Sequence, residues 1–268
     1  MNPGTSTNFS VYRFLIPTST LLSNPITSPY FSNANGRMNI AAVPEARLVN
    51  YPCRADKLEN FVLIYPAHHQ EGEEEDWYSI TGGSGTRKDL YRVYPDAHSV
   101  LKEIFRLAPE DEIKGWPLLS RAPLKSWHKH RCLLVGDAAH PMLPHQAQGG
   151  AMAFEDAEAL AVVLARMRNL KLAELERSLE LFEKIRVSRA SAIQILSSVP
   201  AEDLATVADQ TRPYIEGKVP RSLGEVRTFA FKYNIVDGSE AVLREYLEGD
   251  LVTSLSYADS VSVRRALV

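Results

Sequence analysis

The clearest pattern in this chain is a change from a short apolar run to helical spacing of apolar residues between positions 131 and 167. Leu133, Leu134 and Val135 form an apolar run that stops at Gly136, which predicts a buried strand. After a loop with prolines and glycines, apolar residues recur at helical spacing and predict an amphipathic helix. These residues are Phe154, Ala157, Leu160, Ala161, Leu164 and Met167. The pattern therefore predicts a strand, a loop and a helix whose apolar face packs inward.

The regions before and after this segment have different patterns of apolar and polar residues. Before residue 121, apolar, β-branched and aromatic runs separated by polar residues predict strands at 11–17, 47–54, 60–65 and 77–80. Residues 18–36 predict loop or short helix, and residues 97–107 predict a helix. After residue 168, a long apolar stripe that ends at Pro200 predicts a helix, and residues 240–247 predict another with Ser239 as its N-cap.

Composition narrows the classes of protein. With 268 residues and 45% hydrophobic content, the chain can bury a substantial core. Its 30 basic and 33 acidic residues give no basic field, so we expect no nucleic-acid partner. No apolar run approaches the roughly 20 residues of a membrane span, and the first residues lack the pattern of a secretory signal. Two cysteines give no disulfide framework, so we expect a cytoplasmic protein.

The loop after the predicted strand holds the candidate chemistry. Gly149 and Gly150 allow the backbone to approach a ligand, and the first N–H groups of the following helix can bind anionic atoms. Asp137 can accept hydrogen bonds from a polyol or ribose, although an aspartate here can also be a simple turn residue. His140 and His145 are metal-ligand types, but the flanking prolines argue against a rigid site, so we predict no metal. We expect His140 to bond to the backbone.

This segment resembles the second flavin-binding motif of FAD-dependent aromatic hydroxylases of the salicylate hydroxylase type. The resemblance implies that Asp137 binds the ribityl part of FAD, and that the Gly149 and Gly150 backbone faces the flavin and pyrophosphate. Ala147 departs from the motif, because many relatives have glycine there. The matching residues are Gly136-Asp137-Ala138-Ala139-His140-Pro141, Pro144, Gln148-Gly149 and Glu155-Asp156-Ala157.

The same resemblance extends along the rest of the chain. It implies that Arg13 and Tyr51 hold a substrate phenolate, as an arginine and a tyrosine do in several fungal relatives. A fixed guanidinium would stabilise the phenolate and raise the electron density of the ring. Arg186 and Arg189 match a pair of helix arginines, which we expect to be solvated or paired. The other matching segments are Tyr12-Arg13 with Pro17, Tyr51-Pro52-Cys53-Arg54, Asn60-Phe61-Val62, and Arg121-Ala122-Pro123-Leu124 with Trp127.

The resemblance implies an α/β fold of the flavin hydroxylase type, truncated at the N-terminus. Residues 1–120 would form a mostly β substrate-binding domain, 121–200 the remaining part of an FAD-binding domain, and 201–268 a C-terminal helical segment. The implied function is an FAD-dependent monooxygenase that uses NAD(P)H and O₂ to hydroxylate an aromatic or phenolic small molecule. Secondary metabolism and aromatic catabolism are the implied settings.

One family feature is missing from the sequence. Relatives open with a Gly-x-Gly-x-x-Gly turn that binds the ADP half of FAD, and the glycine cluster at 82–85 lacks that spacing, which favours a solvent loop. Two explanations stay open. The chain is either a truncated version of a complete monooxygenase, or a natural short protein that has lost flavin chemistry and acts in binding. Without the first strand, an exposed sheet edge and apolar surface would favour self-association.

Overall fold

The computed structural model describes residues 5–33, 36–42, 46–66, 83–167, 169 and 171–246, with side chains from residue 7 onward. The chain divides into two compact units, one ending at Leu119 and the other beginning at Ser120. Within the described part of the chain, no helix has the length and apolar character needed to cross a membrane. Each unit is built around its own hydrophobic clusters.

The first unit contains a six-stranded sheet with the strand order β2-β3-β4-β1-β6-β5. The paired strands whose register is defined are all antiparallel. This confirms the predicted mixed fold with its antiparallel sheet and the strands expected near 11–17, 47–54 and 60–65. The expected strand at 77–80 lies outside the described residues. The strands are β1 Thr5–Pro17, β2 Asn39–Ala42, β3 Arg47–Cys53, β4 Leu58–Pro66, β5 Gly83–Ser84 and β6 Lys114–Ser120.

Alternation along the strands decides which face of the sheet is covered. Phe14 on β1 and Phe61 on β4 point to the same face, where their rings stack with centroids 5.1 Å apart. Among its described residues this unit has four helices, and buried Leu90 and Phe105 from two of them join the same cluster. The helices are α1 Thr18–Ser23, α2 Ser28–Phe31, α3 Arg87–Val93 and α4 Ser99–Leu107.

The described part of the glycine cluster, residues 83–85, is not the solvent loop that its sequence favours. Gly83 and Ser84 pair with β6 as a short strand. A Cβ atom built on Gly85 would lie 2.7 Å from the ring of Tyr12, which itself stacks on Tyr65 at 4.9 Å. The glycine is therefore needed because an aromatic ring packs directly against the backbone.

The second unit is mainly helical. Its elements are β7 His128–Lys129, β8 Cys132–Leu133, α5 Gly149–Leu164, α6 Leu172–Leu196, α7 Ala208–Thr211, α8 Leu223–Phe231 and a helix α9 that includes residues 235–246. The 25-residue α6 confirms the long apolar stripe. Ser239 is not the predicted N-cap, because its hydroxyl donates to the Ile235 carbonyl inside α9 (2.7 Å). Asn234 takes that role, since its side chain accepts from the Val236 N–H (3.0 Å).

The expected inward face of α5 is wrong. Phe154 is 79% exposed and Leu164 is 37% exposed, whereas Met152, Ala159 and Val163 are buried. Apolar residues occur around most of this helix, so their spacing does not decide which side packs inward. The buried side of α5 also carries the charged residue Asp156, whose partner Arg186 lies on α6.

The apolar run before the loop is also less buried than predicted. The regular strand there is only Cys132–Leu133, paired with His128–Lys129. Leu133 and Leu134 are half-buried, and Val135 is 43% exposed. Among the described residues β8 has one neighbouring strand, so a single edge of the strand is covered.

Candidate functional site

The end of β8 and the start of α5 come together at the candidate site. Gly136 has a φ of +57°, and the chain then makes a 3-10 turn over Gly136–Ala138 that presents Asp137 to solvent. A Cβ atom built on Gly149 would lie 3.9 Å from Oδ1 of Asp137. Among the residues that the structure describes, none bonds to this carboxylate. The structure thus brings together the predicted residues Asp137 and Gly149 and leaves the carboxylate available to a ligand.

The N-terminus of α5 is open as well. This 16-residue helix begins at Gly149, and its N-cap Gln148 makes no side-chain capping hydrogen bond. The first turn contains no acidic residue, and a Cβ atom on Gly150 would meet nothing within 4 Å. Because the first N–H groups of a helix lack intrahelical partners, this end can bind electron-rich or anionic atoms.

The buried carboxylate of Asp156 holds the loop in place through hydrogen bonds. Asp156 on α5 is 1% exposed, and its Oδ2 accepts hydrogen bonds from the Gly136 N–H (2.8 Å) and His140 Nε2 (2.7 Å). Its Oδ1 accepts from Nε of Arg186 (2.8 Å). Burial by itself would raise the pKa of Asp156, but the hydrogen bonds from His140, Gly136 and Arg186 outweigh it and lower the pKa below its usual range. The expected bond of His140 to the backbone is made by its own N–H, which donates to the Gly136 carbonyl (2.9 Å), whereas its side chain bonds to Asp156.

Arg186 joins α6 to two carboxylates of α5. Its side chain is fully buried, and it pairs with both Glu155 and Asp156. Nη2 also donates to the backbone carbonyl of Met152 (3.1 Å). A buried guanidinium with this set of acceptors has its charge and its donors satisfied together.

Arg189, one turn further along α6, extends the network to the C-terminal helices. It binds Glu155 through two hydrogen bonds, Nε to Oε2 (2.7 Å) and Nη2 to Oε1 (2.6 Å). It also donates to the carbonyls of Phe229 (3.2 Å) and Ala230 (3.0 Å), and its Cζ lies 3.9 Å from the centre of the Tyr233 ring. Arg186 and Arg189 were expected to be either solvated or paired. Both are paired, and neither is solvated.

Two further residues support the loop from another side. Arg121 Nη2 donates to the carbonyls of Ala138 (2.9 Å) and Ala139 (3.1 Å), directly after Asp137. Trp127 is 2% exposed and packs its ring 5.0 Å from that of His140. Sequence reasoning placed these residues in the matching motif but missed their supporting role. The i, i+3 spacing of Arg186 and Arg189, which puts both on one helix face, was the available signal for the network.

Arg13 and Tyr51 lie in the first unit on either side of β4. Arg13 is opposite Val62, and Tyr51 is opposite Asn60, so both side chains emerge on the same face of the sheet. Arg13 is exposed, Tyr51 is 39% exposed, and Nε of Arg13 donates to Oδ1 of Asn60 (2.8 Å). The structure thus places this pair on one surface, with one strand between them.

No metal centre is present among the described residues, because no group of three or more His, Cys, Asp and Glu side chains is arranged to hold an ion. The site does contain one His–carboxylate contact, that between His140 and Asp156. Its carboxylate is already occupied by Gly136 and Arg186.

Ala147 adopts the left-handed conformation, with φ 53° and ψ 34°. This conformation costs a residue with a Cβ atom about 1 kcal/mol, so a glycine would be relaxed there. We expect Ala147→Gly to raise the free energy of unfolding by about 1 kcal/mol. Ala161→Gly, at an exposed position inside α5, should lower it by about 1 kcal/mol. Denaturant titration of both variants checks this, and a loss of stability in Ala147→Gly would contradict it.

Residues 47–193 match the model of the FAD binding domain family, and the chain belongs to that family. An FAD-dependent monooxygenase of Diaporthe leptostromiformis is 33% identical over 237 residues, which is 88% of this chain and 58% of the relative. A 3-hydroxybenzoate 6-hydroxylase of Klebsiella oxytoca is 31% identical over 152 residues, or 57% of this chain and 35% of the relative.

Solved structures give the same fold. A salicylate hydroxylase determined as a substrate complex superposes with a TM-score of 0.66 at 21% identity. The superposition covers 90% of this chain and 58% of that one. This chain therefore spans little more than half the length of the monooxygenase and the salicylate hydroxylase that it matches, and FAD is the cofactor that the family match supports.

Proposed function

We propose that this protein is a cytoplasmic FAD-dependent monooxygenase that uses NAD(P)H and O₂ to hydroxylate an aromatic small molecule carrying a phenol. The observation that carries the proposal is the open site in which the free carboxylate of Asp137 lies beside the uncapped N-terminus of α5. The family match and the names of the relatives support the same class of reaction.

The residues present fit FAD. Asp137 would accept hydrogen bonds from ribityl hydroxyls, which is the role that a free carboxylate at a strand end can fill. The backbone of Gly149 and Gly150 would approach the flavin and the pyrophosphate, because neither residue has a side chain in the way. When bound, FAD supplies the redox and oxygen chemistry, while the protein orients the cofactor and excludes water.

Arg13 and Tyr51 would bind the substrate. The guanidinium of Arg13 would pair with the phenolate oxygen, and the hydroxyl of Tyr51 would donate a second hydrogen bond. A negative charge held there raises the electron density of the ring and prepares it to accept an oxygen atom. The position of both side chains on one face of the sheet supports this assignment.

A second candidate is a non-catalytic binding protein that associates with itself. Large apolar residues are exposed in the second unit, including Phe154 at 79% and Val135 at 43%. Such surface favours association. Sedimentation of the chain across a range of concentrations separates the candidates when it is combined with the activity assay. An inactive, self-associating chain supports the second candidate, and an active one supports the first.

The activity assay uses the 268-residue chain loaded with FAD. We expect phenols such as 3-hydroxybenzoate to accelerate the oxidation of NADH or NADPH and to gain one oxygen atom from isotopically labelled O₂, measured by mass spectrometry. Arg13→Ala should abolish the labelled product at substrate concentrations that saturate the wild type. Cofactor oxidation without labelled product from any phenol in a broad panel would contradict the proposal.

A further inference from the structure

We propose that Asn60 is a positioning residue that fixes the guanidinium of Arg13 and so gives the substrate site its preference for anionic phenols. The inference rests on the proposed function, in which Arg13 binds the phenolate. It adds a residue whose side chain acts through Arg13.

The sheet places Asn60 beside both substrate-binding residues. It is opposite Tyr51 on β3, and opposite Leu15, two residues from Arg13, on β1. Directly opposed residues and residues two apart on a strand share one face of a sheet. Since β4 has a neighbouring strand on each side, the backbone of Asn60 is held in the ladder. The side chain of Asn60 therefore extends from a fixed backbone position between Arg13 on β1 and Tyr51 on β3.

Burial distinguishes Asn60 from the residue that it contacts. Asn60 is 1% exposed, while Arg13 is exposed. Oδ1 of Asn60 accepts the Nε–H of Arg13 (2.8 Å), so a buried acceptor holds the Nε end of an exposed guanidinium. Within the described residues, the terminal nitrogens of Arg13 have no protein partner. The contact thus orients the guanidinium and leaves its outer donors for a ligand.

The chemistry of the amide suits this role. An arginine side chain loses conformational freedom when it binds an anion, and a preformed contact at Nε reduces that loss. The amide is neutral, so it orients the guanidinium without cancelling its charge. A carboxylate at the same position would hold Arg13 equally well but would compete with the phenolate for the positive charge.

The first arm of the test measures binding of para-nitrophenol to the FAD-loaded chain by its visible absorbance. In the wild type we expect the pKa of the bound phenol to lie below that of the free phenol. Asn60→Leu should weaken binding of the phenolate about tenfold and remove this effect on the pKa. Asn60→Asp should also remove it, although Arg13 stays oriented. The matched control is Asn50→Leu, which removes an amide hydrogen bond to Glu59 on the other face of the same two strands and should leave binding unchanged.

The second arm reads Arg13 directly and needs no substrate. We expect a sharp, slowly exchanging NMR signal for the Arg13 Nε–H group in the wild type and in Asn60→Asp, and its loss in Asn60→Leu. An unchanged signal in Asn60→Leu overturns the inference. So does unchanged phenolate binding in Asn60→Leu when Arg13→Ala abolishes it. If Arg13→Ala binds the phenol as the wild type does, the substrate role of Arg13 is wrong, and this inference is wrong with it. The proposal that the protein binds FAD is measured separately and is not affected by that result.

Discussion

Replacing Asp156 by alanine is expected to destabilise the protein by about 3–5 kcal/mol, the cost of breaking a buried ion pair by removing one partner. Three donors lose their acceptor in this variant: the Gly136 N–H, His140 Nε2 and Nε of the fully buried Arg186. The loop that presents Asp137 should lose its support at the same time. We therefore expect a large fall in stability together with loss of FAD binding.

Denaturant unfolding, followed by circular dichroism, measures the first effect. Glu158→Ala removes an exposed carboxylate from the same helix and should change stability by less than about 0.5 kcal/mol.

Because the folded-state pKa of Asp156 is lowered, the contribution of Asp156 to stability is present at neutral pH and is lost as the pH falls through the folded pKa. Asp156→Asn should therefore be less stable at neutral pH and less sensitive to acid. Equal stability of Asp156→Ala and the wild type would contradict this account of the network.

Trp127→Ala is expected to cost about 3–5 kcal/mol, because it removes a large buried ring and leaves a cavity. The Trp127 ring is 2% exposed and lies 5.0 Å from His140 and 6.1 Å from Phe182. Its loss removes the packing that holds the imidazole against Asp156. The variant should thus weaken FAD binding as well as stability, although no Trp127 atom is assigned to the cofactor.

Trp116→Ala is the matched control for this variant. Trp116 lies in the first unit and is only half-buried, so its removal should cost clearly less. Guanidinium unfolding of both variants gives the comparison, and FAD titration gives the functional effect. A loss in Trp127→Ala no larger than that in Trp116→Ala would show that the tryptophan does not support the loop.

Half of the sheet was predictable, because the pattern of β1, β3 and β4 is local, whereas β2, β5 and β6 were not predicted. Runs of β-branched and aromatic residues mark β1, β3 and β4, and alternation along them separates Phe14 and Phe61 in the core from Arg13 on the other face. The pairing of Tyr51 with Asn60 depends on register across a turn, which spacing in the sequence does not specify. The contact between Asn60 and Arg13 was therefore visible only in the structure.

The site was predictable in part. The Gly136–Asp137 corner and the open start of α5 follow from residue types with distinct backbone and hydrogen-bonding properties. The orientation of α5 was not predictable, because apolar residues on several sides make its spacing ambiguous. Asp156 resolves the ambiguity through Arg186, which lies 30 positions further along the chain. Such a partner is found by tertiary packing and not by local pattern.

The most direct test of the central claim, that Asp137 and the start of α5 bind FAD, is a fluorescence titration of FAD into the unaltered chain and into Asp137→Ala. We expect stoichiometric binding by the unaltered chain and affinity at least about tenfold weaker in the variant, whose unfolding should be nearly unchanged because Asp137 is exposed. Equal affinity in the two proteins, or no binding by the unaltered chain, would contradict the claim.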